Sequence, residues 1–235
     1  MINMKYIYID IETKNKFLSG LDFKKPDGWV ISCFCIYNSY TGDKYYFVNN
    51  KDEILLQYDL KTQSSVKKDI LDNLYNFTDA YDIMNNFYKD GYILNSFNGL
   101  DFDYPILSKS IREGGANLQE IIYLFELDNR TKDLFFDLKI YTKINFSLQN
   151  LIKGVIGNKY SKTMKSNAAP HQWAKKKYLE VLMYCILDCI YTSEVFNRLE
   201  NPNIQYCINY KRYGKIHTCN IKNYEVLEVI GMRIN

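Results

Sequence analysis

The clearest pattern in the chain is Tyr6-Ile7-Tyr8-Ile9-Asp10-Ile11-Glu12-Thr13, where Ile7, Ile9 and Ile11 alternate with Tyr8, Asp10 and Glu12. A period of two predicts a β-strand packed on one side. After a polar loop containing Gly20, Pro26 and Gly28, the apolar run Trp29–Tyr37 predicts a second, largely buried strand. A Thr41-Gly42-Asp43 turn leads into a third at Lys44–Val48, and so short a connection makes the pair an antiparallel hairpin. Apolar positions 66, 70, 71, 74, 75 and 77 follow Ser65 with helical spacing, and a second short helix fits 80–89.

Tyr92–Phe97 predicts a fourth strand, broken by Asn98-Gly99. A helix is expected from Tyr104 to Glu113, with Pro105 in its first turn and Gly114-Gly115 as its stop. Leu134–Ile140 predicts a fifth strand and Ser147–Ile156 a helix. A Lys-rich loop over 157–170 follows, and then a long helix from Gln172 to Leu199 with Pro202 beyond it. Three strands followed by helices alternating with two more give an α/β fold, a mixed five-stranded sheet flanked by helices. Gln205–Tyr210 and Lys215–Ile221, either side of Tyr213-Gly214, predict a small C-terminal hairpin. The expected organisation is one main domain over residues 1–200 and an extension over 201–235.

Hydrophobic residues make up 47% of the 235, enough for a full core, and a net charge of +3 neither marks a nucleic-acid binder nor repels a phosphate backbone. The six cysteines form no Cys-x-x-Cys, which excludes zinc-ribbon and dithiol-redox readings. Cys185 and Cys189 fall in an apolar helical run where buried free thiols are common. Neither a signal peptide nor a membrane-length apolar run is present, so the expectation is a reduced, intracellular, cytoplasmic protein without membrane association.

Charge placement changes the picture more than charge total. Asp10 and Glu12 share a strand face about 6–7 Å apart, where they repel unless a cation lies between them. Flanked by Lys5 and Lys14, the pair also fits a solvated edge. Asp188 is the only charged residue between Glu180 and Glu194, in a helix of Val, Leu, Ile, Met and Cys. A carboxylate there must be protonated or partnered. Tyr184, four residues earlier, shares its face. Asp101 and Asp103 sit in a strand-to-helix turn, where an acid also serves as a helix cap.

In order and spacing these segments resemble the DEDD 3′–5′ exonucleases, in the tyrosine-bearing branch that includes the proofreading domains of DNA polymerases and RNase D. Ile9-Asp10-Ile11-Glu12-Thr13 matches the first motif, Phe97-Asn98-Gly99-Leu100-Asp101-Phe102-Asp103 the second and Tyr184-Cys185-Ile186-Leu187-Asp188 the third. The second motif favours Asp103 over Asp101, and the histidine-bearing branch would need His where Met183 stands.

The resemblance implies a ribonuclease H-like fold and two Mg²⁺ or Mn²⁺ ions held by Asp10, Glu12, Asp103 and Asp188, with Tyr184 orienting the attacking water. Thr13, Phe97 and Asn98 would lie beside the terminal nucleotide. Lys162 and Lys165, among the lysines around Tyr160 and Trp173, would track the strand by charge and stacking. Lys211, Arg212 and Lys215 beside Tyr210 and Tyr213 form a second basic group, and Asp137 is read as structural. The expected activity is that of a free-standing enzyme releasing nucleoside 5′-monophosphates from single-stranded DNA 3′ ends, beside a polymerase or replication partner. Size and composition suit viral or plasmid-borne origin. The alternatives are an RNA 3′-end trimmer and a non-catalytic end-binding or polymerase-accessory module.

Overall fold

In the computed structural model, residues 4–15, 25, 27–58, 64–200 and 204–222 are described; Gly20, Pro26 and Pro202 fall outside them. The strands are β1 (Tyr6–Thr13), β2 (Ile31–Asn38), β3 (Lys44–Val48), β4 (Leu74–Asn76), β5 (Ile93–Ser96), β6 (Thr131–Asp133), β7 (Gln205–Arg212) and β8 (Lys215–Lys222). The helices are α1 (Lys51–Gln57), α2 (Ser65–Asp72), α3 (Ala80–Lys89), α4 (Asp103–Leu107), α5 (Gln119–Leu127), α6 (Leu134–Thr142), α7 (Leu148–Leu151), α8 (Ala169–Ala174) and α9 (Tyr178–Leu199). The main sheet runs β4-β3-β2-β1-β5-β6, and β7-β8 form a separate hairpin. β1, β2 and β3 pair antiparallel; β4 joins β3, and β5 and β6 extend β1, in parallel.

The sheet therefore has six strands, not five, and both extra edges are short. Leu74–Asn76 carries the tail of an expected helix, but α2 stops at Asp72, where Asn73 turns the chain by bonding back to the Asp69 carbonyl. The next three residues pair with Tyr46–Val48. Leu134–Ile140 is a helix rather than a strand because Asp133, at the end of β6, accepts the Phe135 and Phe136 amides and caps α6. The expected helix at 104–113 ends at Leu107. Ala116 and Leu118 bond back to the Leu107 carbonyl, and a Ser110–Glu113 capping box starts a separate turn. The long C-terminal helix is divided at Lys176, whose φ of 58° is left-handed. Helices α1 and α5 have no counterpart in the sequence pattern.

β1 is packed on both faces, not one. Ile7, Ile9 and Ile11 lie in a core with α3, α4 and α5, whereas Tyr6 and Tyr8 face α9 and the segments before it. A central strand between two helical layers has no solvent face. Asp10 and Glu12 thus lie on the α9 side, at the end of a buried row. Four cysteines line the β2–α9 seam as buried free thiols, and Cys185 Sγ donates to the Asp10 carbonyl at 3.1 Å. Among the described residues no helix is long and apolar enough to cross a membrane.

The hairpin packs onto the residues after α7. Ile208 and Ile221 are fully buried, and a Cβ on Gly154 would come within 2.8 Å of Ile208 Cγ1. Only glycine allows that approach.

Candidate active site

Three segments meet at the C-terminal end of β1. The register of β1 against β2 shifts between Glu12 and Thr13, skipping Ser32, so Glu12 and Thr13 both turn toward one cleft. The first turn of α4 brings Asp103, which accepts at 3.0 Å the amide of Ile11, the residue between the two β1 acids in sequence. From α9 come Tyr184 and Asp188, one helical turn apart.

The cleft holds about 400 Å³ and is lined by Asp10, Glu12, Thr13, Phe97, Asn98, Asp103, Lys162, Tyr184 and Asp188, together with Phe135 and Ser147–Gln149. Every expected site residue except Lys165 is there; Lys165 is exposed elsewhere on the loop. Asp101 is exposed and Asp103 buried, and Met183 lines a different surface hollow.

One carboxylate oxygen each of Asp10, Glu12 and Asp188 lie within 4.8 Å of one another, and Asp103 joins them along the same cleft. Burial and the charges of Asp188, Asp103 and Glu12 push the Asp10 carboxyl well above the usual carboxylate range. Burial and Asp188 do the same to Glu12, and burial pushes Asp103 up to about 7 against the pull of the Ile11 amide. Burial also raises Asp188, with Lys162 pulling the other way.

Lys162 Nζ pairs with Asp188 Oδ2 and lies 3.2 Å from the Tyr184 hydroxyl, while its backbone N–H is held by Gln149 Oε1 at 2.9 Å. Burial opposes its charge, but Asp188, Tyr184 and Asp10 outweigh that and hold it above the ordinary lysine range. One ammonium cannot neutralise four acids. The buried Asp10 Oδ2 and Asp188 Oδ1 have no hydrogen-bond partner among the described residues. Unsatisfied buried carboxylate oxygens are costly unless a cation takes them. The all-oxygen donor set fits a hard divalent ion such as Mg²⁺ or Mn²⁺.

That imbalance is measurable. Glu12→Gln is expected to raise the melting temperature of the metal-free protein by about 2–4 °C, the shift from roughly 1 kcal/mol of relieved repulsion. The same change should shrink the gain that saturating Mn²⁺ gives the wild type, about 2.7 kcal/mol at a hundredfold excess over Kd. Thermal melts in EDTA and in Mn²⁺ check both.

Asp133 is a residue that the sequence reading did not single out. Fully buried, it accepts the Asn98 and Leu100 amides at 2.9 and 3.0 Å as well as the two α6 amides, tying the turn before Asp103 to β6. Asn98 there adopts a φ of 69°, which Asn tolerates well, and a Cβ on Gly99 would fall 2.4 Å from Ser96 Oγ. Asp133 follows a polar Thr-Lys pair, which reads as a turn; a capping acid before Leu-Phe-Phe was the available signal.

No curated protein matches the chain. The family model described as 3′–5′ exonuclease matches residues 43–202, most of the chain, taking in Asp103, Tyr184 and Asp188 and starting after β1. The chain belongs to the 3′–5′ exonuclease family, metal-dependent nucleases that hydrolyse the phosphodiester bonds of nucleic acids.

Proposed function

We propose that this exonuclease degrades single-stranded DNA from its 3′ end by two-metal-ion catalysis, releasing nucleoside 5′-monophosphates. Asp10, Glu12, Asp103 and Asp188 are the ligands, and residues 1–200 form the catalytic unit with the hairpin as an addition. The observation that carries this reading is the convergence of four acids from three segments, two of them with an unsatisfied buried oxygen. Divalent ions bound there supply a nucleophile at neutral pH and stabilise charge on the attacking and leaving oxygens.

The chain's own groups do the rest. Tyr184, held beside Lys162 and Asp188, presents its hydroxyl to orient the attacking water. The Lys162 ammonium stays charged and sits where phosphate oxygens enter, so it steadies the scissile phosphate. Phe97, fixed edge-on against Phe135 at 5.6 Å, and Asn98 bound the end of the cleft that receives the terminal nucleotide, with Thr13 at the mouth.

The test is digestion of a 5′-labelled single strand with a free or a blocked 3′ end, in Mg²⁺ and in Mn²⁺, beside an RNA of the same sequence. A ladder that needs the free end, with 5′-monophosphate products, is expected. Equal cutting of the free and the blocked strand, or degradation of RNA alone, overturns the proposal. Tyr184→Phe is expected to lower kcat about 10–100-fold, the scale for groups that orient rather than ligate. The Mn²⁺ concentration for half-maximal rate should stay put; a large increase in it would reassign Tyr184 to building the metal site.

A further inference from the structure

A second cleft lies where the α6–α7 connection meets the hairpin. It holds about 230 Å³ and is lined by Lys143, Ile144, Asn145, Tyr210, Lys211 and Arg212. We propose that it binds the phosphodiester backbone of single-stranded nucleic acid, carrying the strand upstream of the 3′ end that the catalytic cleft receives. The inference rests on the exonuclease reading above and extends it to a second site.

Continuity is the first argument. The segment that supplies Lys143, Ile144 and Asn145 runs straight on to Ser147, Leu148 and Gln149, which wall the catalytic cleft. A strand leaving the acids along that wall meets the second cleft within a few residues. The turn that presents Lys143 is set by its left-handed φ of 58° at the end of α6.

Charge is the second. No Asp or Glu occurs between Asp137 and Glu180, nor between Glu200 and Glu225. These two acid-free stretches pack against each other, the first carrying the wall segment and the second the hairpin. The small net charge of the whole chain therefore conceals two sequence stretches whose basic residues have no acid among them. Arg212 and Lys215 stand directly opposite each other across the β7–β8 ladder, an arrangement that destabilises a hairpin unless an anion offsets it. Among the described residues, neither they nor Lys143 and Lys211 form a salt bridge.

Rigidity and stacking surface are the third. Tyr210 is fixed edge-on to Phe146 and stacked on His217, both at 5.6 Å, while the 88% exposed Tyr213 lies under Arg212 at the tip. Basic groups alternating with aromatics that bases can stack upon are what sequence-tolerant single-strand binding uses. The tight seat of Ile208 over Gly154 holds this face in register with the core.

The experiment is fluorescence anisotropy in EDTA with labelled single-stranded oligonucleotides of four and twelve nucleotides. It compares wild type with Lys211→Glu/Arg212→Glu and Lys211→Gln/Arg212→Gln. Both positions are exposed, and circular dichroism confirms that each variant is folded. Wild type should bind the 12-mer at least about tenfold tighter than the 4-mer, and the Glu variant should lose most of that ratio. The slope of log affinity against log salt should become shallower by about 1.4, from two lost single-strand phosphate contacts. The Gln variant should show a smaller loss of ratio with a similar slope change. Unchanged ratio and slope, or no binding by the wild type, overturns the proposal. Digestion of the same 12-mer in Mg²⁺ and Mn²⁺ runs in parallel. If wild type binds but does not cut, the exonuclease reading fails while the binding comparison still decides the cleft.

Discussion

Asp10→Ala is expected to cut the metal-dependent rate by about 10³-fold or more while leaving the protein folded. Loss of one preorganised charge-stabilising contact costs about 10²–10³ in kcat, and a ligand shared by two ions sits above that range. The proposed two-ion site gives Asp10 that role, and its carboxylate lies within 4.8 Å of those of Glu12 and Asp188 with one buried oxygen lacking a partner among the described residues. Folding should survive because what anchors this residue is its backbone. It pairs with Cys35 across the ladder, and its carbonyl accepts from Cys185. The side chain adds repulsion to the metal-free state, so its removal should not lower the melting temperature. Steady-state digestion of a single-stranded oligomer, with melts in EDTA, checks both halves. Asp101→Ala is the matched control: that carboxylate is exposed and outside the cleft, and its loss should leave the rate within about twofold. Full activity in Asp10→Ala would remove the carboxylate cluster from the chemistry.

The contrast between Asp101 and Asp103 shows what could be read from the chain alone. Asp188 was legible because it sits in a helix of aliphatics and thiols that gives it no reason to be there, whereas Asp10 and Glu12 also fitted a solvated strand face, and Asp103 was separated from Asp101 only by its match to the second motif. A charge against the pattern is a strong signal. The long periodic elements β1, β2, β3, α9 and the hairpin were legible for the same reason. What failed was short. β4 and β6 have three residues each and owe their existence to parallel pairing with strands far away in sequence, which leaves no local period to find. Leu134–Ile140 is a short, mostly apolar run interrupted by Asp137 and Lys139, so strand and helix fit equally until the Asp133 cap decides. Lys162 and Lys165 looked alike in a Lys-rich loop; the Gln149 contact that turns one of them inward is tertiary.

Asp133→Ala should have the largest effect on stability, about 3–5 kcal/mol. Four buried or half-buried amides converge on this carboxylate, two from the turn at Asn98–Leu100 and two from the start of α6. Each donor left without a partner costs about 1–3 kcal/mol, partly recovered where water reaches it, and loss of a helix cap costs about 0.5–2. At about 2–4 °C per kcal/mol for a chain of this size, the melting temperature should fall by about 6–20 °C. Asp133→Asn tests the cause. Its oxygen can keep the Asn98, Phe135 and Phe136 amides that Oδ1 accepts, but its NH₂ then faces the Leu100 amide, donor against donor. The cost should drop to about 1–2 kcal/mol, one unsatisfied group rather than four. Because the same turn delivers Phe97, Asn98 and Asp103 to the cleft, both variants should also lose kcat at temperatures where they remain folded. The loss should be greater for Ala than for Asn. Urea melts with rates measured below the transition separate the two effects. A change in stability under 1 kcal/mol for Asp133→Ala would mean that the turn holds its shape without this carboxylate.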